Sequence, residues 1–128
     1  MVLLHNAPEI GLTERMALTA LTGGYATYEN CYRPLADCHG LLTIGAKKQK
    51  DDSVRGLIVA GHIAMQNIFD RMQRTKKVGA SSDELEALRA MVDVAEDFWK
   101  RQSASLFMEC IALLKFIRAK QIEERKAA

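Results

Sequence analysis

Apolar residues recur along this chain at intervals of three and four, and long period-two alternations are missing, so the pattern predicts an all-α fold. A first helix is expected from near Glu9 or Thr13 to the Gly23-Gly24 pair, with Leu12, Met16, Leu18, Ala20 and Leu21 inward and Thr13 as the candidate N-cap. A second is expected over residues 25–42, where Tyr25, Tyr28, Tyr32, Leu35, His39 and Leu42 keep a three-four spacing. Pro34 falls inside it and predicts a kink or restart, because proline lacks the N–H and crowds the carbonyl four residues back. The alternation of Tyr, Thr and Cys over residues 25–32 also suits a short strand.

The third helix is better specified. Asp51, Asp52 and Ser53 supply an acidic, cap-competent start, and Arg71, Arg74, Lys76 and Lys77 a basic end, matching the helix dipole at both termini. Residues 57–65 are apolar on nearly every side, which predicts a helix surrounded by protein, with His62 as a neutral core histidine. Gly56 and Gly61 inside such a helix predict a close helix–helix approach.

The fourth helix opens on the strongest local signal, the capping box of Ser81 and Glu84, and nothing breaks the pattern from there to Glu124. A helix of that length would run for roughly 60 Å, against a diameter of about 36 Å for a compact chain of this size. It must therefore bend, at residues 102–105, or project toward a partner. Its apolar residues form two stripes about 100° apart. Leu85, Leu88, Val92, Ala95, Trp99, Leu106, Cys110, Leu113 and Ile117 make one; Met91, Val94, Phe98, Met108 and Ala112 make the other. Eleven of the fourteen residues from 104 to 117 are apolar, so this segment seeks burial on almost every side. A small monomer has few fully enclosed sites to offer it.

With 128 residues and 48% hydrophobic residues, the chain has room for one core, and residues 1–128 are read as one helical domain. The expected architecture is a four-helix bundle with a long C-terminal helix, assembled as an oligomer. The net charge of +2 is too mild to imply nucleic acid or an anionic membrane as the main partner. Met1 to Leu4 is a short apolar run with no preceding basic residues, and no stretch reaches the ~18 apolar residues of a membrane span, so a cytoplasmic protein without a membrane partner is expected. Three widely spaced cysteines, Cys31, Cys38 and Cys110, suit reduced thiols better than a disulfide framework.

Candidate chemistry is sparse. Cys31 and Cys38 are two helical turns apart, about 10 Å, and with His39 they lack the short paired spacing of a metal site. Asp93, Glu96 and Asp97 share a helix face but are accompanied by no E-x-x-H, so a solvated acidic face is expected. Nucleophile-elbow, phosphate-loop, dinucleotide and H-E-x-x-H motifs are absent from the sequence. No cofactor, no metal and no enzymatic activity are therefore expected.

What remains is a small helical protein–protein interaction or regulatory protein that presents helical surfaces to a partner, first of all a second copy of itself and otherwise another protein. The candidate partner-binding residues are Phe98, Leu106, Phe107, Ile111, Leu114 and Ile117, with Trp99 assigned to the core and Leu114 as the residue least needed by the chain's own core. Two alternatives belong to other classes: a DNA-associated regulator with Arg71, Arg74, Lys76 and Lys77 on phosphates, and a metal-bound bundle using Cys31, Cys38, His39 or the Asp93 face.

Overall fold

The computed structural model describes residues 11–127 and contains, among them, five α-helices and no strand. They are α1 (Leu12–Gly23), α2 (Arg33–Lys48), α3 (Arg55–Thr75), α4 (Ser82–Lys100) and α5 (Ala104–Ala127). The expected helix start at Glu9 lies outside the described residues. α1 instead follows Gly11, whose left-handed backbone (φ 91°) turns the chain into the helix, and Thr13 sits within the first turn rather than capping it. Ala17, Leu18 and Ala20 are buried, whereas Leu12 and Met16, expected inward, face solvent. The rotation is fixed by Arg15, which forks onto Glu96 and also reaches Asp93, both on α4.

Residues 25–32 form neither a strand nor the start of a regular helix. Thr27 and Asn30 cap each other reciprocally, Thr27 Oγ1 accepting from the Asn30 N–H at 3.1 Å, and a π-helical turn follows over Tyr28–Tyr32. Pro34 then falls in the first turn of α2, where its missing N–H leaves no bond unmade. The expected interruption is therefore real but takes the form of a widened turn ahead of the proline, and α2 continues beyond Leu42 to Lys48.

A 3-10 turn over Asp52–Val54 leads into α3, with the Asp51 carboxylate accepting from the Ser53 N–H at 3.0 Å. α3 is buried on one side only, through Gly61, Ala64, Met65 and Ile68. Val59, His62 and Ile63 are exposed, which corrects the expectation of a helix enclosed on all sides with a core histidine. Gly61 does mark a close approach: a Cβ there would come within 2.6 Å of Met91 Sδ on α4, while Gly56 faces open space.

Ser81 and Glu84 form the capping box that the sequence predicts, opening α4. The long C-terminal helix divides within the stretch where a bend is expected. Gln102 Nε2 donates to the Phe98 carbonyl at 3.1 Å and Ser103 Oγ accepts from the Leu106 N–H at 3.1 Å, so these polar side chains satisfy backbone groups that the break exposes. α5 then folds back along α2, which makes five helices where four are expected. The core, centred on Leu35, Leu42, Ile68, Leu88, Met91, Val92 and Phe98, joins α2, α3 and α4. Among the described residues no helix is long and apolar enough to cross a membrane.

Candidate functional site

α5 is attached to the rest of the chain by one side. Lys48 Nζ lies 3.9 Å from Glu109 Oε2, Leu114 fits against the bare backbone of Gly40, and Arg118 pairs with Asp37, a register that sets α5 antiparallel to α2. Cys110 is its one fully buried residue. At 1.5 Å per residue the helix extends for about 36 Å, and its outer side carries Met108 (62% exposed) and Phe116 (61%), with Leu113 and Ile117 at 38% along one flank and Ile122 (50%) on the other, in a groove with Tyr28, Tyr32 and Phe69. Met108, Ala112, Phe116 and Ala119 follow one another at intervals of four, four and three, so they form a continuous apolar strip on that side.

The sequence-predicted partner residues are split by this arrangement. Phe98 is completely buried and meets Trp99 edge to face at 5.0 Å, so it has no surface to offer. Phe107 packs on the other side of Trp99 at 4.8 Å, and with Leu106 it lies against the core. Ile111 is half-buried, and Leu114 is engaged by Gly40, contrary to the expectation that the fold could spare it. Ile117 alone of the six is exposed. Met108 and Phe116, absent from the predicted set, belong to the outer strip; their eight-residue spacing is the signal that would have found them.

The basic end of α3 has an intramolecular task. Arg71 Nη1 and Nη2 each donate to Glu84 at 3.0 Å, and Nη1 also donates to the Gly79 carbonyl at 2.8 Å. Glu84 in turn accepts from the Ser81 N–H at 2.9 Å, so one carboxylate joins the end of α3 to the cap of α4. Arg71 holds this carboxyl below the usual range. Arg74, Lys76 and Lys77 remain exposed, and Lys76 closes α3 in a left-handed conformation (φ 62°). Four basic side chains on one phosphate-contacting surface are thus reduced to three.

All three cysteines are buried. Burial pushes the thiols up, to about 11 for Cys31 and about 12 for Cys38, so both are protonated at neutral pH and serve as small apolar side chains. His39 Nε2 bonds to the Ile58 carbonyl at 3.1 Å, and the His62 ring lies 5.6 Å away. Asp93 and Glu96 are joined to Arg15, and Asp97 to Arg101 at 3.2 Å. Among the described residues no group of three His, Cys, Asp or Glu side chains is placed to hold a metal ion.

A partly open cavity has no periodic trace in the sequence. A cavity of about 290 Å³ opens between the first turn of α1, the middle of α2 and the end of α4, with Glu14 at its edge and Leu41, Val92, Trp99 and Phe107 in its walls. Desolvation raises the Glu14 pKa above its ordinary value of 4.5. Folding therefore favours the protonated acid: the stability linked to Glu14 is fully present below pH 4.5 and is lost as the pH rises through the higher folded value. Glu14→Gln is expected to raise the melting temperature at pH 7 by a few degrees, and the gap should close as the pH falls below the ordinary carboxylate range. Thermal unfolding of both proteins across pH checks this; a variant less stable than the wild type at pH 7 would contradict it.

No protein-family model matches the chain, and neither a curated protein nor a solved structure does.

Proposed function

We propose that the chain is a helical protein–protein interaction protein, and that the outer strip of α5 docks against a second copy of itself. The observation that carries this reading is the exposure of Met108 and Phe116 on a helix whose opposite side packs on α2 and, through Phe107, on Trp99 of α4. Charge placement favours a second copy in antiparallel orientation. Glu109 and Lys120 are eleven residues apart, about three turns, and share one edge of the strip. In an antiparallel pair related by a two-fold axis at the level of Leu114 and Lys115, same-edge residues meet, so each Glu109 faces the other copy's Lys120 and each Phe116 the other copy's Leu113. The exposed apolar side chains of the two helices supply on the order of 1,000 Å², the size at which specific interfaces begin. Burial of even 600 Å² at ~25 cal/mol/Å² gives about 15 kcal/mol gross, more than the several kcal/mol that association costs.

Phe116→Glu is expected to convert the dimer to a folded monomer with unchanged helical content, because the side chain it replaces makes little use of the chain's own core. Light scattering and circular dichroism together read this outcome. A charge-reversal cycle tests the register, with stability followed in parallel because Glu109 also lies 3.9 Å from Lys48 of its own chain: Glu109→Lys and Lys120→Glu should each weaken the dimer, and the double variant should restore it. A wild-type mass of one chain throughout the micromolar range would sink the reading, and a dimer indifferent to both Phe116→Glu and the charge cycle would move the interface elsewhere.

A further inference from the structure

The cavity beside Glu14 lies outside the α5 strip and asks for a ligand of different kind. Its volume, about 290 Å³, is roughly twice that of an engineered apolar cavity of about 150 Å³ that admits benzene. One aromatic ring with a short arm fits such a space. The walls are apolar on three sides, with Leu41 from α2, Val92 and Trp99 from α4, and Phe107 from α5. Trp99 and Phe107 meet edge to face in this wall, the ring centroids 4.8 Å apart.

The charges decide which ligand. Glu96, also in the cavity wall, has both carboxylate oxygens bound by Arg15, at 2.9 and 3.1 Å, and the same guanidinium also serves Asp93. Asp37, on α2, is paired with Arg118 of α5. The Cys38 thiol, the other titratable group facing Glu14 from α2, is neutral at physiological pH. Arg15 is thus shared among acidic neighbours, and no Lys, Arg or His among the described residues forms an ion pair with Glu14. An anion is repelled by this arrangement, a neutral molecule leaves the Glu14 charge uncompensated, and a cation completes it.

We propose that this cavity binds a small amphipathic amine, an aromatic or short alkyl body bearing one ammonium group, with Glu14 as its counter-ion and Trp99 and Phe107 as its walls. Burial raises the Glu14 pKa, and a bound ammonium would offset that desolvation.

Trp99 is the only tryptophan in the chain, so its fluorescence reports on the cavity directly. The test titrates the full-length protein at pH 7.5 with phenethylammonium chloride and, separately, with the neutral phenethyl alcohol. The amine should give a saturable change in Trp99 emission with an affinity roughly tenfold or more above that of the alcohol, as expected for a hydrogen bond between charged groups. Glu14→Gln should abolish this preference while leaving the weak binding of the alcohol in place, and amine affinity should fall as the pH drops through the Glu14 ionisation. The proposal is overturned by the absence of a saturable response to the amine up to millimolar concentration, by equal affinity for amine and alcohol, or by a preference that survives in Glu14→Gln. Each result is separable from the α5 reading, because the oligomeric mass is measured in the same samples.

Discussion

Phe98→Ala is expected to lower the unfolding free energy by about 3–5 kcal/mol, the cost of deleting a fully buried phenylalanine and leaving a cavity behind. Phe98 has no exposed surface and stands edge to face with Trp99 at 5.0 Å. It also approaches the backbone of α2 so closely that a Cβ on Gly45 would lie 2.9 Å from its ring, so the space it vacates is bounded by backbone and a rigid indole that relax little. Against a total stability of about 5–15 kcal/mol for a domain, a loss of this size brings the protein close to unfolding at ambient temperature. Urea denaturation measures it. Phe116→Ala serves as the internal contrast: at 61% exposure its removal should change the stability of the isolated chain by only about 0.5 kcal/mol. A Phe98→Ala protein that keeps its stability and loses its oligomeric state would reverse the two assignments.

Arg71→Ala is expected to cost about 2 kcal/mol at pH 7, discounted from the value for a buried pair because the Arg71 side chain is 34% exposed and water can partly replace it. Three charge-assisted bonds go with that side chain, and the nearly buried Glu84 carboxylate keeps only its cap contact with Ser81. The sign of the pH dependence follows from the lowered Glu84 pKa. Its stabilisation is fully present above the ordinary value of 4.5, declines as the pH falls below that value, and is gone once the pH passes below the folded pKa. The difference between wild type and Arg71→Ala should therefore narrow in acid, as chemical denaturation at pH 7 and pH 3 would show. A constant difference would mean that Arg71 acts through packing of its stem rather than through Glu84. Substituting Arg71 to probe nucleic-acid contact would confound binding with stability; Arg74 and Lys77, which are exposed, are the cleaner positions.

The two readings of the surface depend on features that differ in how far the sequence reveals them. The outer strip of α5 is partly legible: the apolar excess over residues 104–117 announces a helix that one neighbour cannot cover. Which side stays open is not. Leu114 and Phe116 are two positions apart and equally apolar, yet one sits on Gly40 and the other in solvent. The site at Glu14 leaves no periodic trace, since its walls come from α1, α2, α4 and α5 and its charge balance depends on Arg15 being drawn to Asp93 and Glu96, some eighty residues away.

What the sequence by itself determined is what residues a few positions apart can fix. The helical period, the Ser81–Glu84 cap, the Asp51-capped turn ahead of α3 and the place where the long C-terminal helix bends all arise from backbone groups and side chains within about one turn of each other, so they form wherever the rest of the chain lies. The tertiary structure alone decided how each helix is rotated: Leu12 and Met16 outward, Val59 and His62 in solvent, Phe98 inward rather than toward a partner. Periodicity states which residues share a face, and a helix with two apolar stripes satisfies it in either orientation. The choice between them rests on long-range contacts, above all the Arg15 fork, the Arg71–Glu84 pair and the close approaches at Gly40 and Gly61, whose partners are separated by a loop or by half the chain and so have no local signature.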